Sequence, residues 1–534
     1  MKTKIAKFGP YVLLGLIFLM LIFLNIFYQD HWLDSDMAAE MMFSKILAET
    51  DHIFATQEWY YSTEFRFLYT QLVMGPLFRV LSDWHVIRTI TNIVFYVLMT
   101  ASVFYFMKPL KVSRSLTALV ACVLLLPFSE TMMTHMQMGN TYMSHVIIIY
   151  VCCGMFLRLA GKENDKKVSK FLLLLGYIAL SVVCGVSGVR YLLALQCPLV
   201  IAAFLYLLRS EEFQCFRREM TKNNFKGIFR STAAPYFNYS LLGVVASVVG
   251  YGLNVVWVSR QYVFQTYEST NFIAIYQGEL FERFQNAIGC LLMLFGYIPQ
   301  KGFLSVRGVI SIMAFVMLAV LVYCTVKQVK RSNGMRYFVT VFLIVAFALN
   351  LFVFTFTTST MVPRYYLTIL IFALPVLTFF LEQENMPFDR GAVVVVLGAC
   401  LALSSVKTVF SFISADKNED KREVAAFLQE NDYDFGFATY TNGNIITELT
   451  NGEVEIGNIG DPQYLEYFKW SSPMKYYEED YYDGEVFLLL TAGEAAEFAD
   501  AEAVQQGEKI YEDGKYVVLI YESTEELMSY ADVR

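Results

Sequence analysis

From Trp32 to Arg66 the chain concentrates groups that could move a proton. Asp34, Asp36, Glu40, Glu49, Asp51, Glu58 and Glu64 all fall there, with His31 and His52 nearby. The stretch opens W-L-D-S-D-M-A-A-E and closes W-Y-Y-S-T-E-F-R. If Ser35 caps a helix, Asp36 is its first residue, and Asp36 and Glu40 lie one turn apart on one face. A carboxylate at the outer mouth of a membrane bundle suits a general base that takes a proton from a hydroxyl nucleophile. Asp34 and Asp36 would equally complement the positive end of a helix. The residues alone leave both readings open.

Isolated arginines complete the chemistry-bearing set. Gly188-Val189-Arg190-Tyr191 and Pro363-Arg364-Tyr365-Tyr366 each place Arg-Tyr where an apolar stretch begins. At headgroup depth a guanidinium can fork onto an anionic phosphate, although Arg and Tyr also serve there as interface anchors. Arg260, Arg283, Lys301 and Arg307 would add to the same positive field, with Arg260 a third candidate phosphate ligand. The 128–145 stretch carries Glu130, His135, Gln137, Asn140 and His145, read as lining a polar cleft with Glu40 and Tyr365. Two histidines ten apart lack the i, i+4 spacing of a helical metal site. A divalent metal held by Asp34, Asp36 and one of these histidines is the remaining metal arrangement, and no other cofactor is implied.

These groups need a frame, and composition defines it. Of 534 residues 56% are hydrophobic and 17% charged, the balance of a multi-pass membrane protein with room for one further domain. Spans of about 20 apolar residues are expected at 11–27, 86–107, 115–129, 143–160, 169–187, 191–208, 239–259, 304–326, 337–358, 365–382 and 391–413. The basic opening M-K-T-K-I-A-K-F and the apolar Tyr11–Phe27 read as an uncleaved signal anchor forming the first span. With the N-terminus inside, segments 1–10, 108–114, 158–170, 209–238, 327–336 and 383–390 hold most Lys and Arg outside the acidic tail, as the positive-inside rule requires. The tail then lies outside. Nine cysteines occur, none within 28–85 or 415–534, and they show no disulfide or zinc spacing.

Two apolar stretches are not counted as spans. Phe65–Ser82, interrupted by Pro76, puts Phe65, Leu68, Leu72 and Leu77 on one face and Arg66, Thr70, Gln71 and Arg79 on the other, as an interfacial helix would. Ala287–Ile298 is too short and reads as re-entrant or interfacial. Residues 1–414 therefore form a transmembrane domain with a large first outer loop, 28–85. Residues 415–534 carry 28 acidic and only 8 basic side chains. They alternate helical and strand patterns: a helix at 418–431, strands at 435–440 and 453–459, a helix at 442–449, a strand at 485–491, a helix at 494–500, and a hairpin of 509–511 with 516–521. That is a small acidic α/β domain outside the membrane. Tyr476, Tyr477, Tyr481 and Tyr482 form a cluster that could stack on sugars, although exposed tyrosines of a turn are the commoner arrangement. Nothing resembles a basic nucleic-acid surface.

The layout, with a long acidic first loop, an amphipathic segment on it, eleven spans and an outer C-terminal domain, resembles the GT-C glycosyltransferases. S-D-M-A-A-E, W-Y-Y-S-T-E, D-W-H-V-I-R at Asp83–Arg88 and P-R-Y-Y-L resemble membrane proteins of that superfamily from Gram-positive bacteria. The resemblance implies a first-loop aspartate as catalytic base, mapping onto Asp36 with Asp34 as the other candidate, and Glu64 ranks beside them. It also implies an arginine near a late span that meets the lipid phosphate, mapping onto Arg364, while Arg190 stands as a candidate on its Arg-Tyr pair alone. The Asp-Glu pair of protein mannosyltransferases and the W-W-D-Y-G of oligosaccharyltransferases are missing, which argues against those two activities. The implied function is an inverting transferase of the cytoplasmic membrane. It would use a polyprenyl-phosphate-linked sugar on the outer face and modify an envelope glycan, teichoic acid or lipid. A flippase of lipid-linked glycans is the rival, and would need no base. A non-catalytic binding module on a membrane anchor is a third possibility, though eleven spans exceed what an anchor needs.

Overall fold

The computed structural model describes residues 2–161, 167–220, 222–265, 270–274, 278–302, 304–383 and 387–532. The 158–170 and 383–390 connections and the 260–303 loop fall partly outside them. Among the described residues nine helices are long and apolar enough to cross a membrane, and eleven spans result if each of two bent pairs counts once. The chain is a multi-pass membrane protein. Helix Pro387–Ser414 runs to the start of the C-terminal α/β region.

Hydropathy gives 115–129 as one straight span, where the chain is bent, whereas 191–208 stays one continuous helix, Leu192–Leu208, whose 62° bend comes after it, before Glu211–Arg218. Arg114–Leu125 and Glu130–Met138 meet at 94°. The break contains Pro127, which keeps its predecessor out of the helical region, and Ser129, whose hydroxyl accepts from the Met132 N–H at 3.2 Å. Beyond it Met133–Met138 is wound as a π-helix. Irregular backbone at this depth needs protein partners, and buried asparagines supply them. Asn92 Nδ2 donates to the Met138 carbonyl at 2.7 Å and to Asn25 Oδ1 at 2.6 Å, and Asn140 Nδ2 donates to Asn92 Oδ1 at 3.1 Å.

Packing follows residue size. Helices Lys167–Val186 and Ala234–Leu253 touch backbone to backbone at Gly185 and Gly250. A Cβ on either would come within about 2 Å of the Ser247 or Val182 carbonyl oxygen, the close approach that small residues permit between membrane helices. Leu367–Leu381 is apolar on all sides and nearly every residue is buried, so it forms the centre of the bundle. Leu280–Leu294, 15 residues long, is too short to cross a membrane and is tied sideways to the bundle. Its Arg283 donates to the Phe354 and Ser359 carbonyls at 3.1 and 2.9 Å.

Eight strands occur among the described residues: β1 (Trp59–Tyr61), β2 (Val263–Phe264), β3 (Phe435–Thr439), β4 (Glu455–Ile459), β5 (Ser472–Pro473), β6 (Val486–Thr491), β7 (Glu508–Glu512) and β8 (Tyr516–Tyr521). Five form a mixed sheet ordered β4-β3-β6-β8-β7, with β3 parallel to both neighbours and β8 antiparallel to both of its own. The strands follow the sequence pattern to within about two residues, because buried runs such as Val486–Leu490 can only be central strands. The helix expected at 494–500 instead runs Ala492–Glu497, and the short helices Glu502–Gln506 and Thr524–Ser529 were not expected. The tyrosine cluster is not the exposed turn expected. Tyr476 is buried against Phe435, Tyr481 donates to Glu455, and Tyr477 donates to Ser472 Oγ at 3.0 Å. These rings cover one face of β3 and β4 and offer no open platform.

The remaining three strands join the two halves of the chain. β1 pairs in parallel with β2 and antiparallel with β5. Trp32 Nε1 donates to the Ala415 carbonyl at 2.7 Å, and Asn418 Nδ2 donates to the Asp30 and Leu33 carbonyls. The C-terminal region is thus seated on the first loop.

Candidate active site

The Ser35–Glu49 helix carries the acids. Its composition of Ala, Met, Leu, Glu and Lys favours helix, and its start is capped one residue earlier than expected. Asp34, in extended conformation, accepts the Met37 N–H at 2.9 Å, leaving Ser35 as the first helical residue. This capping fixes Asp34 beside the cavity rather than in it. Burial, together with the neighbouring Asp36 carboxylate, pushes its carboxyl up to about 6.

Asp36 and Glu40 do share a face, and both line a cavity of about 140 Å³. Asp36 is half-buried and accepts the Tyr440 hydroxyl at 3.0 Å. Glu40 is held tightly. Arg66 Nη1 donates to its Oε1 at 2.7 Å and Thr70 Oγ1 to its Oε2 at 3.1 Å. Burial pushes Glu40 up to about 7 while Arg66 pulls against it. Arg66, Thr70 and Gln71, expected on a solvent face, therefore turn inward. The segment is a helix only over Gln71–Phe78, because residues 65–70 serve the ion pair instead of the helical repeat. Glu40 thus organises the cavity wall.

Glu64 and Arg190 are also brought together, but onto each other. Arg190 Nε donates to Glu64 Oε1 at 2.5 Å, and its guanidinium lies over the rings of Tyr142 and Tyr365 at 4.8 and 5.3 Å. The carboxylate raises the Arg190 pKa further, against the effect of burial. The carboxylate expected as a base and the guanidinium expected on phosphate are thus each engaged by the other. Arg364 differs. Its Nε donates to the Tyr142 hydroxyl at 3.2 Å and its Nη1 lies 3.5 Å from His135 Nε2. Of the three arginines on this cavity, Arg66 and Arg190 have carboxylate partners, and Arg364 has none within 4 Å among the described residues.

Of the other expected members, Arg260 and His135 do not line the cavity and Tyr365 does. Arg260 sits on the exposed Ser259–Gln261 turn. His135 stands behind Arg364, with Nδ1 3.2 Å from Thr141 Oγ1, and Tyr365 lines the wall, stacked on Phe354. Asp34, Asp36 and the histidines do not converge. Among the described residues no three His, Cys, Asp or Glu side chains are placed to hold a metal ion.

No family model and no curated protein sequence matches this chain. Among solved structures it is similar to ArnT from Cupriavidus metallidurans, whose crystal structure was determined bound to undecaprenyl phosphate. The match covers 99% of this chain and 100% of that one at 12% identity, with a TM-score of 0.53. The chain has the GT-C fold.

Within that fold the site draws on residues that sequence reasoning did not single out. Tyr142 contacts both Arg190 and Arg364, and Tyr69 donates to the Thr141 carbonyl, fixing the loop that presents it. Tyr440 and Trp470 arrive from the C-terminal region. Arg66 and Tyr142 adjoin motifs already noted and carried a weak signal. Tyr440 and Trp470 carried none.

Proposed function

We propose that this protein is an inverting glycosyltransferase of the cytoplasmic membrane that takes a sugar from a polyprenyl-phosphate donor at the outer face. The observation that carries the proposal is one cavity lined by Asp36 and by Arg364, an arginine without a carboxylate partner among the described residues. That the similar ArnT structure holds undecaprenyl phosphate supports a polyprenyl donor here. In the proposed step the acceptor hydroxyl gives its proton to the Asp36 carboxylate as its oxygen attacks the anomeric carbon. The anomeric carbon–phosphate oxygen bond breaks, and its electron pair leaves with the polyprenyl phosphate. Arg364 holds that phosphate and offsets the charge gathering on the leaving oxygen. The Glu40–Arg66 and Glu64–Arg190 pairs shape the walls between them.

The expected consequence in cells is the loss of one sugar substituent from an envelope glycan or lipid when the protein is removed, read by mass spectrometry. Loss of the glycan together with accumulation of its lipid-linked precursor on the inner face would point to a flippase instead. At the level of binding, Arg364→Ala should weaken donor-lipid affinity by roughly 10- to 150-fold, the loss of about 1.5–3 kcal/mol for a charge-assisted hydrogen bond, and Arg364→Lys should restore only part. Donor binding by Arg364→Ala equal to wild type would move the phosphate site elsewhere.

Orientation follows from the same proposal. Single cysteines at Glu479 and Lys226, both exposed, should label from opposite sides of the membrane in a Cys215→Ser background, since Cys215 is itself exposed. Labelling of both from the cytoplasmic side would remove the outward-facing site.

A further inference from the structure

The Trp470-Ser471 turn lines the cavity yet takes no part in the proton or phosphate chemistry above. Its backbone is held on both flanks. Downstream, β5 pairs with Trp59 and Tyr60 of β1, and the Met474 N–H donates to the Glu58 carbonyl at 2.9 Å. Upstream, the Phe468 N–H donates to the Asn458 carbonyl at 2.8 Å, and Tyr467 bridges to Ile459 of β4. Between these clamps Ser471 has a φ of 47°, a left-handed conformation that costs a serine energy and persists only where the surroundings impose it. The turn is therefore built into the cavity wall by two domains at once.

Its surface is aromatic. The Trp470 ring stacks on Phe468 at 6.3 Å and 25°, and Phe468 meets Tyr440 edge-on at 5.6 Å. Tyr440 is the residue that donates to Asp36, so the aromatic run leads from the C-terminal region to the candidate base. Trp59 and Tyr61 belong to the same cavity lining, while Arg364 belongs to the polar lining by Tyr142. An acceptor in this cavity has the indole and Asp36 in one lining.

Resting on the proposed transferase reading, we infer that Trp470 is an acceptor-binding residue and that the acceptor is a neutral saccharide presenting a pyranose ring. The C–H face of a pyranose is flat and apolar and packs on an indole, whereas an acyclic glycerol or ribitol chain has no such face. Charge selects in the same direction. The C-terminal region holds 28 acidic against 8 basic residues, a field that repels a polyphosphate chain. A teichoic acid backbone is disfavoured on both counts.

The test uses the purified full-length protein with a panel of polyprenyl-phosphate hexoses and pentoses as donors. Neutral pyranose oligosaccharides are offered against oligomers of ribitol phosphate and glycerol phosphate as acceptors. Transfer should go to the pyranose set. Trp470→Ala should raise its acceptor KM by about tenfold, as for a truncated interface tryptophan, with kcat within about twofold and donor binding unchanged. Trp470→Phe should recover part of the loss and guards against misfolding of the alanine variant. Transfer to the phosphate oligomers in preference, or an unchanged saccharide KM in Trp470→Ala, overturns the inference and leaves the transferase standing. No transfer to any acceptor by protein that binds donor overturns the transferase and this inference with it.

Discussion

Asp36→Asn protein should insert, fold and bind donor lipid as wild type does, yet transfer sugar about 10²- to 10⁴-fold more slowly, the usual contribution of a general base. Asparagine keeps the size of aspartate and can still accept the Tyr440 hydroxyl that Asp36 accepts at 3.0 Å. What it loses is the ability to take a proton from the acceptor. Were Asp36 only a charge near a helix N-terminus, the change would cost roughly 0.3–1 kcal/mol of stability and little rate. The same measurement ranks its neighbours. Asp34→Asn should reduce transfer far less, because that side chain caps Met37 beside the cavity. Glu64→Gln should act mainly by releasing Arg190, with which it is paired. A purified Asp36→Asn enzyme with wild-type turnover would sink the assignment. The wild type must yield a detected product alongside, since a flippase gives none in either form.

How far such a site could be read from the chain depends on the range of the interactions that build it. The spans were legible because a bilayer sets a length that composition either meets or fails, and of the eleven stretches only 115–129 is broken within its bounds. The Asp36–Glu40 face was legible because it needs only the helical repeat, and the one-residue shift of the cap shows how little Asp34 and Ser35 differ as cap formers. The failures share a cause. Arg66, Thr70 and Gln71 form a polar stripe, and periodicity cannot say whether such a stripe meets water or a buried carboxylate. Arg190 and Glu64 each looked functional, but their mutual neutralisation joins residues 126 apart. Tyr440 lies 404 residues from the aspartate it binds, and no local pattern announces that contact. Asp36 could be nominated from sequence, but not the company it keeps.

That long-range company depends on one buried ion pair. Arg88, in the first turn of the second span, donates through Nε and Nη2 to both oxygens of Glu448 at 2.7 Å, and also through Nη2 to the Met37 carbonyl at 2.9 Å. The two side chains are 1% and 6% exposed. Arg88 therefore ties the helix that carries Asp36 to the helix Tyr440–Leu449, whose first residue is the Asp36 partner. Glu448→Gln leaves a guanidinium buried without its counter-charge, an error that typically costs about 3–5 kcal/mol. The variant should release the C-terminal region from the first loop before the bundle unfolds. Protease should then cut near residues 415–418, which the docked state holds through Trp32 and Asn418. Acceptor affinity should fall with Trp470 withdrawn, while donor binding at Arg364, on the bundle, should persist. The double variant Arg88→Met/Glu448→Leu removes both charges and should regain most of the stability, since apolar replacement of a buried pair is often neutral or better. If Glu448→Gln melts at the wild-type temperature and resists protease, the pair does not hold the two halves together, and the β1–β5 pairing must carry the docking instead.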